Sequence, residues 1–178
     1  VDGNIWCMYG NLMNPSNSPE PTQITSGKRF VQAEYSEVLG VSYQILAIDI
    51  YGNLWFASGS FRNPKETSLK MMQTTVGLSI SLYENRCYAV DENGKLWAWG
   101  NNSQGLLGDG TKTNPKYPIN IAESVEFISV CAGRAWTYAI DQDGYLWSWG
   151  IAGHIGNGKR NPSFVPVQVS TDVRFVAL

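Results

Sequence analysis

The sequence contains little charge and no long apolar run. Charged residues make up 16% of the 178 positions, against about 25% in an average soluble domain. The formal net charge is −2, so we expect neither a nucleic-acid-binding surface nor a polybasic patch for anionic lipid. No apolar run reaches the roughly 18 residues that a membrane-spanning helix needs. These absences argue against a nucleic-acid partner and against a membrane span.

The residue groupings of common catalytic and metal sites are also missing. His154 is the single histidine, no Cys-x-x-Cys spacing occurs, and no serine stands in a Gly-x-Ser-x-Gly setting. Metal centres and hydrolase nucleophiles depend on such groupings. We therefore predict no catalytic, metal-binding or cofactor-binding residues, and a protein that is not an enzyme.

Few features indicate a compartment. Cys7, Cys87 and Cys131 are odd in number and irregularly spaced, so we expect small buried apolar residues rather than a disulfide framework. No signal peptide is visible and the first residue is Val1, which favours a processed form or a piece of a longer protein. The composition, rich in asparagine and aromatic residues, resembles that of bacterial secreted or surface repeat proteins, but the sequence does not fix a location.

A glycine followed three residues later by a tryptophan, with isoleucine or leucine directly before the tryptophan, occurs four times. The copies are VDGNIW at 1–6, IYGNLW at 50–55, ENGKLW at 92–97 and QDGYLW at 142–147. Each copy continues to a second glycine, and the last two read LWAWG and LWSWG. Self-similarity with a period of about 40–50 residues is typical of repeat architectures such as propellers.

The segments before these copies also agree with each other. Residues 77–94 align without a gap to residues 127–144. Apolar residues alternate in both: Leu78, Ile80 and Leu82 match Ile128, Val130 and Ala132. A period of two indicates β-strands, and the Asn-Gly and Asp-Gly pairs predict tight hairpins whose two central residues take positive φ. Each unit therefore reads as four short strands, and the chain is predicted to be all-β.

The glycines and tryptophans of the copies are predicted to be structural. Side chains two residues apart on a strand share a face, so Trp147 and Trp149 are expected to pack in the seam between neighbouring sheets, where a tryptophan buries about 150–250 Å². The full set with this predicted role is Gly3, Trp6, Gly52, Trp55, Gly94, Trp97, Trp99, Gly100, Gly144, Trp147, Trp149 and Gly150.

The segment YAVDENGKLWAWGNNSQGLLGDGTKTNPKYPINI at 88–121 resembles the repeat of the regulator of chromosome condensation (RCC1) family. Shared features are the Asp before the turn, Gly-x-Leu-Trp-x-Trp-Gly, the glycine-rich loop and the Pro before the last strand. The resemblance is strong over 77–170 and weak before it. It implies a β-propeller of RCC1-like four-stranded antiparallel blades, of which family members have seven.

About four repeat units are present here, in a single propeller segment spanning 1–178. We predict units at roughly 1–29, 30–76, 77–126 and 127–174, with 175–178 starting the next. An open array leaves an unpaired face at each end. We expect the remainder of a longer chain to close the propeller, with self-association as the alternative.

The predicted function is a non-enzymatic protein–protein interaction module that uses the loops at the propeller rim, because loops on a rigid scaffold carry function. Arg134 and Trp136 belong to the turn between the first two strands of one unit, where the preceding unit has Glu84 and Arg86. The candidate partner-binding residues are Asn101, Asn102, Gln104, Asp109, Lys112, Arg134, Trp136, His154, Lys159 and Arg160.

Two alternative functions follow from the resemblance. The family's founding member exchanges guanine nucleotide on a small GTPase, but no long insertion that would serve as a wedge is evident between these units. A bacterial β-lactamase inhibitor with a similar propeller offers the second alternative, inhibition of a secreted enzyme. The partner of this chain is therefore predicted to be a protein, of unidentified kind.

Overall fold

Every helix or strand that the computed structural model describes is a β-strand, which confirms the predicted all-β class. None of the described segments forms a helix long and apolar enough to cross a membrane. The described residues are 6–7, 22–23, 28–38, 42–60, 70–73, 77–151, 155–156, 158, 161–169 and 172–178. The strands are β1 (Trp6–Cys7), β2 (Thr22–Gln23), β3 (Phe30–Val38), β4 (Ser42–Asp49), β5 (Leu54–Ser60), β6 (Lys70–Gln73), β7 (Gly77–Tyr83), β8 (Arg86–Asp91), β9 (Leu96–Gly100), β10 (Ile119–Ile121), β11 (Phe127–Ala132), β12 (Trp136–Asp141), β13 (Leu146–Gly150) and β14 (Ser163–Gln168).

Three four-stranded antiparallel sheets contain most of these strands. Sheet 1 consists of β3–β6, sheet 2 of β7–β10 and sheet 3 of β11–β14, and β1 pairs with β2. Within each sheet, strands that follow one another in the chain are hydrogen-bonded neighbours, so hairpins and one longer loop suffice to connect them. These sheets are the predicted propeller blades.

The sheets pack face to face through their first strands. Strand β7 lies against β3 and β4, and β11 lies against β7 and β8. The core between sheets 1 and 2 includes Leu46 and Trp99, and the core between sheets 2 and 3 includes Tyr88 and Trp149. Each seam is therefore filled by apolar side chains from both neighbouring sheets, as the repeated tryptophans predict.

A one-residue irregularity recurs near the start of the first strand of sheets 1, 2 and 3. The pairing register shifts between Phe30 and Gln32 in β3, between Gly77 and Ser79 in β7, and between Phe127 and Ser129 in β11. Such a bulge leaves one residue out of the alternation. For that reason Ile128 is exposed rather than buried beside Val130, and the strict alternation predicted for this strand is wrong at its first apolar position.

The hairpin turns are present where the sequence predicts them, but with a different geometry. Gly52, Gly94 and Gly144 have φ of 79°, 73° and 82°, whereas the residue before each of them does not have positive φ. The amide of Gly94 donates to the carbonyl of Asp91 at 2.9 Å. This is the three-residue loop in which a type I turn is followed by one left-handed residue, so only the glycine must be conformationally free.

Hydrogen bonds also tie two of these turns to the following repeat. The carbonyl oxygen of Gly94 accepts from the amide of Phe127 at 2.7 Å, and that of Gly144 accepts from the amide of Phe175 at 2.8 Å. A hairpin of one sheet is thus bonded to the chain that begins the next unit.

The cysteines divide between two environments. Cys87 is buried in β8, and burial raises the pKa of its thiol. Cys131 is exposed, because its neighbour Val130 on β11 faces the core and adjacent strand residues point to opposite sides. The prediction of a buried cysteine is therefore correct for Cys87 and wrong for Cys131; the side chain of Cys7 lies outside the described residues.

Candidate functional site

An aspartate organises each turn and holds the first tryptophan of the following strand. The Oδ1 atom of Asp91 accepts from the amides of Asn93 and Lys95, at 2.9 and 3.0 Å. Its Oδ2 atom accepts from the indole Nε1 of Trp97 at 2.9 Å. The same three contacts recur around Asp49, with Tyr51, Asn53 and Trp55, and around Asp141, with Asp143, Tyr145 and Trp147.

Sequence reasoning missed this role of the aspartate, although the signal was present as Asp followed by Trp six residues later in three copies. Each carboxylate satisfies backbone donors of its own turn and an indole across the hairpin. These contacts give each aspartate a structural part in its turn and leave little of the carboxylate for a ligand.

The second tryptophan of the strand joins one sheet to the loop of the sheet before it. Trp149 has no exposed surface, and its Nε1 donates to the carbonyl of Leu106 at 2.9 Å. Trp147 packs against the same core cluster. Trp99 is also buried, and its Nε1 has no hydrogen-bond partner among the described residues.

The loop of residues 101–118, which follows β9, is built around a buried asparagine. Asn102 has no exposed surface, and its Oδ1 accepts from the amide of Leu107 at 2.9 Å. Its Nδ2 donates to Oδ1 of Asp109 at 2.8 Å and to the carbonyl of Thr111 at 3.1 Å. Asn102 is one of the candidate partner-binding residues, but its side chain contacts the interior of its own loop.

Asp109 is the charged residue of this network, and we expect it to make stability depend on pH. Burial raises its pKa, but hydrogen bonds from Thr111 and Asn102 outweigh burial and leave the pKa below its ordinary value. A lowered folded-state pKa stabilises above the unfolded value of about 3.9, and this contribution is lost as pH falls through the folded pKa. Between pH 5 and pH 2, the Tm of Asp109→Asn is expected to fall by less than the Tm of the unaltered protein. Thermal unfolding at several pH values measures this, and parallel curves of Tm against pH would contradict it.

Three of the candidate residues surround one small polar cavity. Asn101, Gln104 and Arg134 line a space of about 80 Å³, together with Glu84 and Ser103. The cavity lies where the two-residue turn between β7 and β8, the loop 101–118 and the turn 133–135 of sheet 3 come together. We call these three segments the loop rim. Neighbouring repeats bring residues far apart in the sequence to this point.

Arg86 also lines the cavity, and sequence reasoning did not select it. Its side chain is 3% exposed, and its Nη2 donates to the carbonyls of Gly133 and Arg134, at 2.7 and 3.0 Å. Its guanidinium carbon lies 5.2 Å from the centroid of the Tyr83 ring. Because Trp136 occupies the matching position in sheet 3, the alignment of repeats carried no signal for an arginine that crosses to the next sheet.

The other candidate residues that the structure describes do not line this cavity. Asp109 lines a second cavity of about 420 Å³ beside Asn120 and Trp147. The Nζ atom of Lys112 lies 5.3 Å from the centroid of the Phe164 ring, and Trp136 packs against Gly133 of its own turn. Three candidate partner-binding residues lie outside the described residues, namely His154, Lys159 and Arg160. Of the predicted structural set, Gly3 and the side chain of Trp6 also lie outside them.

The described part of the chain contains no group of three His, Cys, Asp or Glu side chains that could hold a metal ion. The hydroxyl of Tyr88 is buried beside the loop; it donates to the carbonyl of Leu106 at 2.6 Å and accepts from Oγ1 of Thr137 at 3.1 Å. Burial raises the pKa of Tyr88 to about 12, so the hydroxyl stays protonated and supports the loop.

Comparison with known families gives two matches to the same repeat. A model of the regulator of chromosome condensation (RCC1) repeat matches residues 93–140, and a second model of this repeat matches residues 78–106. The matched residues belong to sheets 2 and 3 and include the loop 101–118. They fall in the region where the sequence resemblance is strongest.

Solved structures share the fold. The crystal structure of human WBSCR16 is 16% identical, with a TM-score of 0.72 over 99% of this chain and 51% of that one. Prp20p of Saccharomyces cerevisiae, described with its binding properties to Gsp1p and histones, is 17% identical, with a TM-score of 0.65 over 87% of this chain and 41% of that one. The chain thus spans about half the length of these structures or less. At such identities the likeness shows the fold alone.

Proposed function

Since residues 78–140 of this chain carry repeats of the RCC1 type in a β-propeller fold, we propose that it is a non-enzymatic protein-interaction module that binds its partner through the loop rim. The observation that carries this proposal is the convergence of Asn101, Gln104 and Arg134 on one polar cavity between two sheets. Polar groups with available donors, placed on loops of a rigid scaffold, are typical of recognition surfaces.

The rigidity of the loop rim supports this proposal. Asn102 fixes the loop from inside, and the indole of Trp149 in the next sheet donates to the loop carbonyl of Leu106. A preorganised surface loses little conformational entropy when a partner binds. The exposed residues of this loop are therefore presented in a defined arrangement before any partner arrives.

The charge of the chain favours a protein over nucleic acid. The formal net charge is −2, and nucleic-acid affinity depends on many lysine and arginine contacts to phosphates. The cavity combines Arg86, Arg134 and Glu84 with neutral amide groups. Such a mixed polar surface is typical of the interfaces between proteins that associate reversibly.

Photo-crosslinking at single positions tests the proposal. With p-benzoylphenylalanine in place of Gln104, which is exposed on the loop rim, we expect one discrete adduct in cells that produce the protein. The matched control places the same group at Lys95, which is exposed in the Asn-Gly turn at the other end of sheet 2. Adducts of equal yield from both positions, or from Lys95 alone, would exclude the loop rim as the binding surface.

The two alternative functions are distinguished by direct assays with the same protein. Stimulated GDP release from any member of a panel of small GTPases would replace our proposal with nucleotide exchange. Inhibition of a β-lactamase at nanomolar protein concentrations would replace it with enzyme inhibition. We expect neither effect.

A further inference from the structure

Arg86 is a buried charge whose donors are only partly used. The side chain is 3% exposed, and its Nη2 donates to two carbonyl oxygens, of Gly133 and Arg134. Its Nη1 is buried and has no hydrogen-bond partner among the described residues. No carboxylate of the described chain takes part in these contacts. A guanidinium in such a setting retains both its positive charge and unused N–H groups.

This arrangement is unfavourable unless something else completes it. A buried charge is normally paired, because leaving a charged donor unsatisfied costs free energy. The two N–H groups of Nη1 have no acceptor among the described residues, and hydrogen bonds from a guanidinium to a carboxylate are among the strong ones. A carboxylate that reached Arg86 would therefore gain a preformed, partly desolvated partner.

The cavity that Arg86 lines has the size and polarity for one such group. Its volume is about 80 Å³, which leaves room for several water molecules, since one water needs about 10–15 Å³. Around it lie Arg134, Glu84, Asn101, Ser103 and Gln104. With Arg86, the formal charges are two positive and one negative, so the net charge of +1 balances one carboxylate.

We propose that this cavity binds a single carboxylate of the protein partner, held by Arg86 and Arg134 and hydrogen-bonded by the side-chain amides of Asn101 and Gln104. The proposal rests on the proposed function, because it names the chemistry by which the loop rim recognises its partner. The negative charge of Glu84 disfavours a phosphate dianion in the same space. The carboxylate comes either from an acidic side chain or from a chain terminus.

Titration with sodium acetate tests the subsite without knowledge of the partner. Followed by heteronuclear NMR at constant ionic strength, acetate is expected to shift the side-chain signals of Arg86, Asn101 and Gln104 saturably, with a Kd on the order of millimolar. Arg134→Ala should weaken binding about 2- to 5-fold because this side chain is exposed. Arg86→Lys should weaken it about tenfold or more, because one ammonium cannot replace both Nη2, which donates to the carbonyls of Gly133 and Arg134, and Nη1, which is left for the carboxylate.

The matched control is Lys112→Ala, which removes an exposed cation of the same loop that does not line the cavity. We expect acetate affinity to be unchanged in this variant. Equal weakening in Lys112→Ala and Arg134→Ala would overturn the subsite, since it would indicate attraction by the overall charge. If Arg86→Lys fails to fold, Arg134→Ala and Asn101→Ala still decide the question, because both residues are exposed.

Short peptides separate the two sources of the carboxylate. N-acetyl-Gly-Asp-Gly-amide offers a side-chain carboxylate, N-acetyl-Gly-Gly offers a terminal one, and N-acetyl-Gly-Asn-Gly-amide is the neutral control. Binding of either of the first two, and not of the third, supports the proposal and identifies the source. Tighter binding of inorganic phosphate than of acetate, or failure of both acidic peptides, would overturn it.

The outcomes for the subsite and for the proposed function are distinguishable. Suppose that the crosslinker at position 104 captures a partner with equal yield whether or not Arg134→Ala is also present, and that acetate does not bind. In that case the subsite is wrong and the loop rim remains the interface. If acetate binds as expected but crosslinking occurs only from Lys95, the anion site stands and the proposed interface is wrong.

Discussion

Replacement of Gly100 by alanine is expected to destabilise the protein by about 3–5 kcal/mol, the sum of left-handed strain and overpacking against backbone. Gly100 ends β9 with φ of 103°, and an added Cβ would lie 1.9 Å from the carbonyl oxygen of Asn85. That oxygen also accepts from the amide of Asn101 at 2.8 Å, so it cannot move without loosening the loop rim. Urea unfolding should show the lower free energy of unfolding, and thermal unfolding should show a Tm lower by about 6–20 °C.

Gly158→Ala is the matched control for this prediction. Gly158 has φ of 72°, but nothing lies within 4 Å of an added Cβ. Only the left-handed backbone cost applies there, which is about 1–2 kcal/mol. If Gly100→Ala and Gly158→Ala lost the same free energy of unfolding, the close approach to Asn85 would not be the reason that position 100 needs glycine.

Asn102→Ala is expected to cost about 2–4 kcal/mol, since it leaves buried polar groups without partners. The amide of Leu107 loses its acceptor, and Asp109 and the carbonyl of Thr111 lose a donor. The loop also supplies the carbonyl of Leu106 that holds the indole of Trp149. We therefore expect a lower unfolding midpoint in urea together with a red shift of tryptophan emission in the folded state.

The neighbouring asparagine provides the control. Asn101 is exposed, and its Oδ1 accepts from the amide and hydroxyl of Ser103. Its replacement by alanine should change stability by about 0.5 kcal/mol, as is usual for exposed positions. Comparable losses in the two variants would mean that the interior network of the loop does not hold it in place.

The propeller could be predicted because its signal is repeated and local. Glycine, tryptophan and a period of two recur in each unit, and the two family matches and the solved structures agree with that prediction. The boundaries of the units remain a prediction. The bulge near the start of each first strand could not be predicted, because a skipped residue such as Ile128 is as apolar as its buried neighbour Val130.

The candidate site could be predicted only in part. Asn101, Gln104 and Arg134 converge because two repeats stack, which follows from the repeat pattern. Asn101 and Asn102 are identical and adjacent, yet one is exposed and the other has no exposed surface; only the path of the loop decides which is which. Arg86 bonds to carbonyls 47 and 48 residues away, and no local pattern carries such a contact.

The hydrogen bonds from the turns at Gly94 and Gly144 to the next unit have a consequence for how the protein unfolds. The carbonyls of Gly94 and Gly144 accept hydrogen bonds from the amides of Phe127 and Phe175. Each of these turns is therefore joined to the chain that begins the next repeat. In arrays of this kind, stability is the sum of internal and nearest-neighbour contributions. Loss of one repeat therefore frays the hairpin of its predecessor, and the amide protons of Phe127 and Phe175 lose their protection from exchange when either adjoining unit opens.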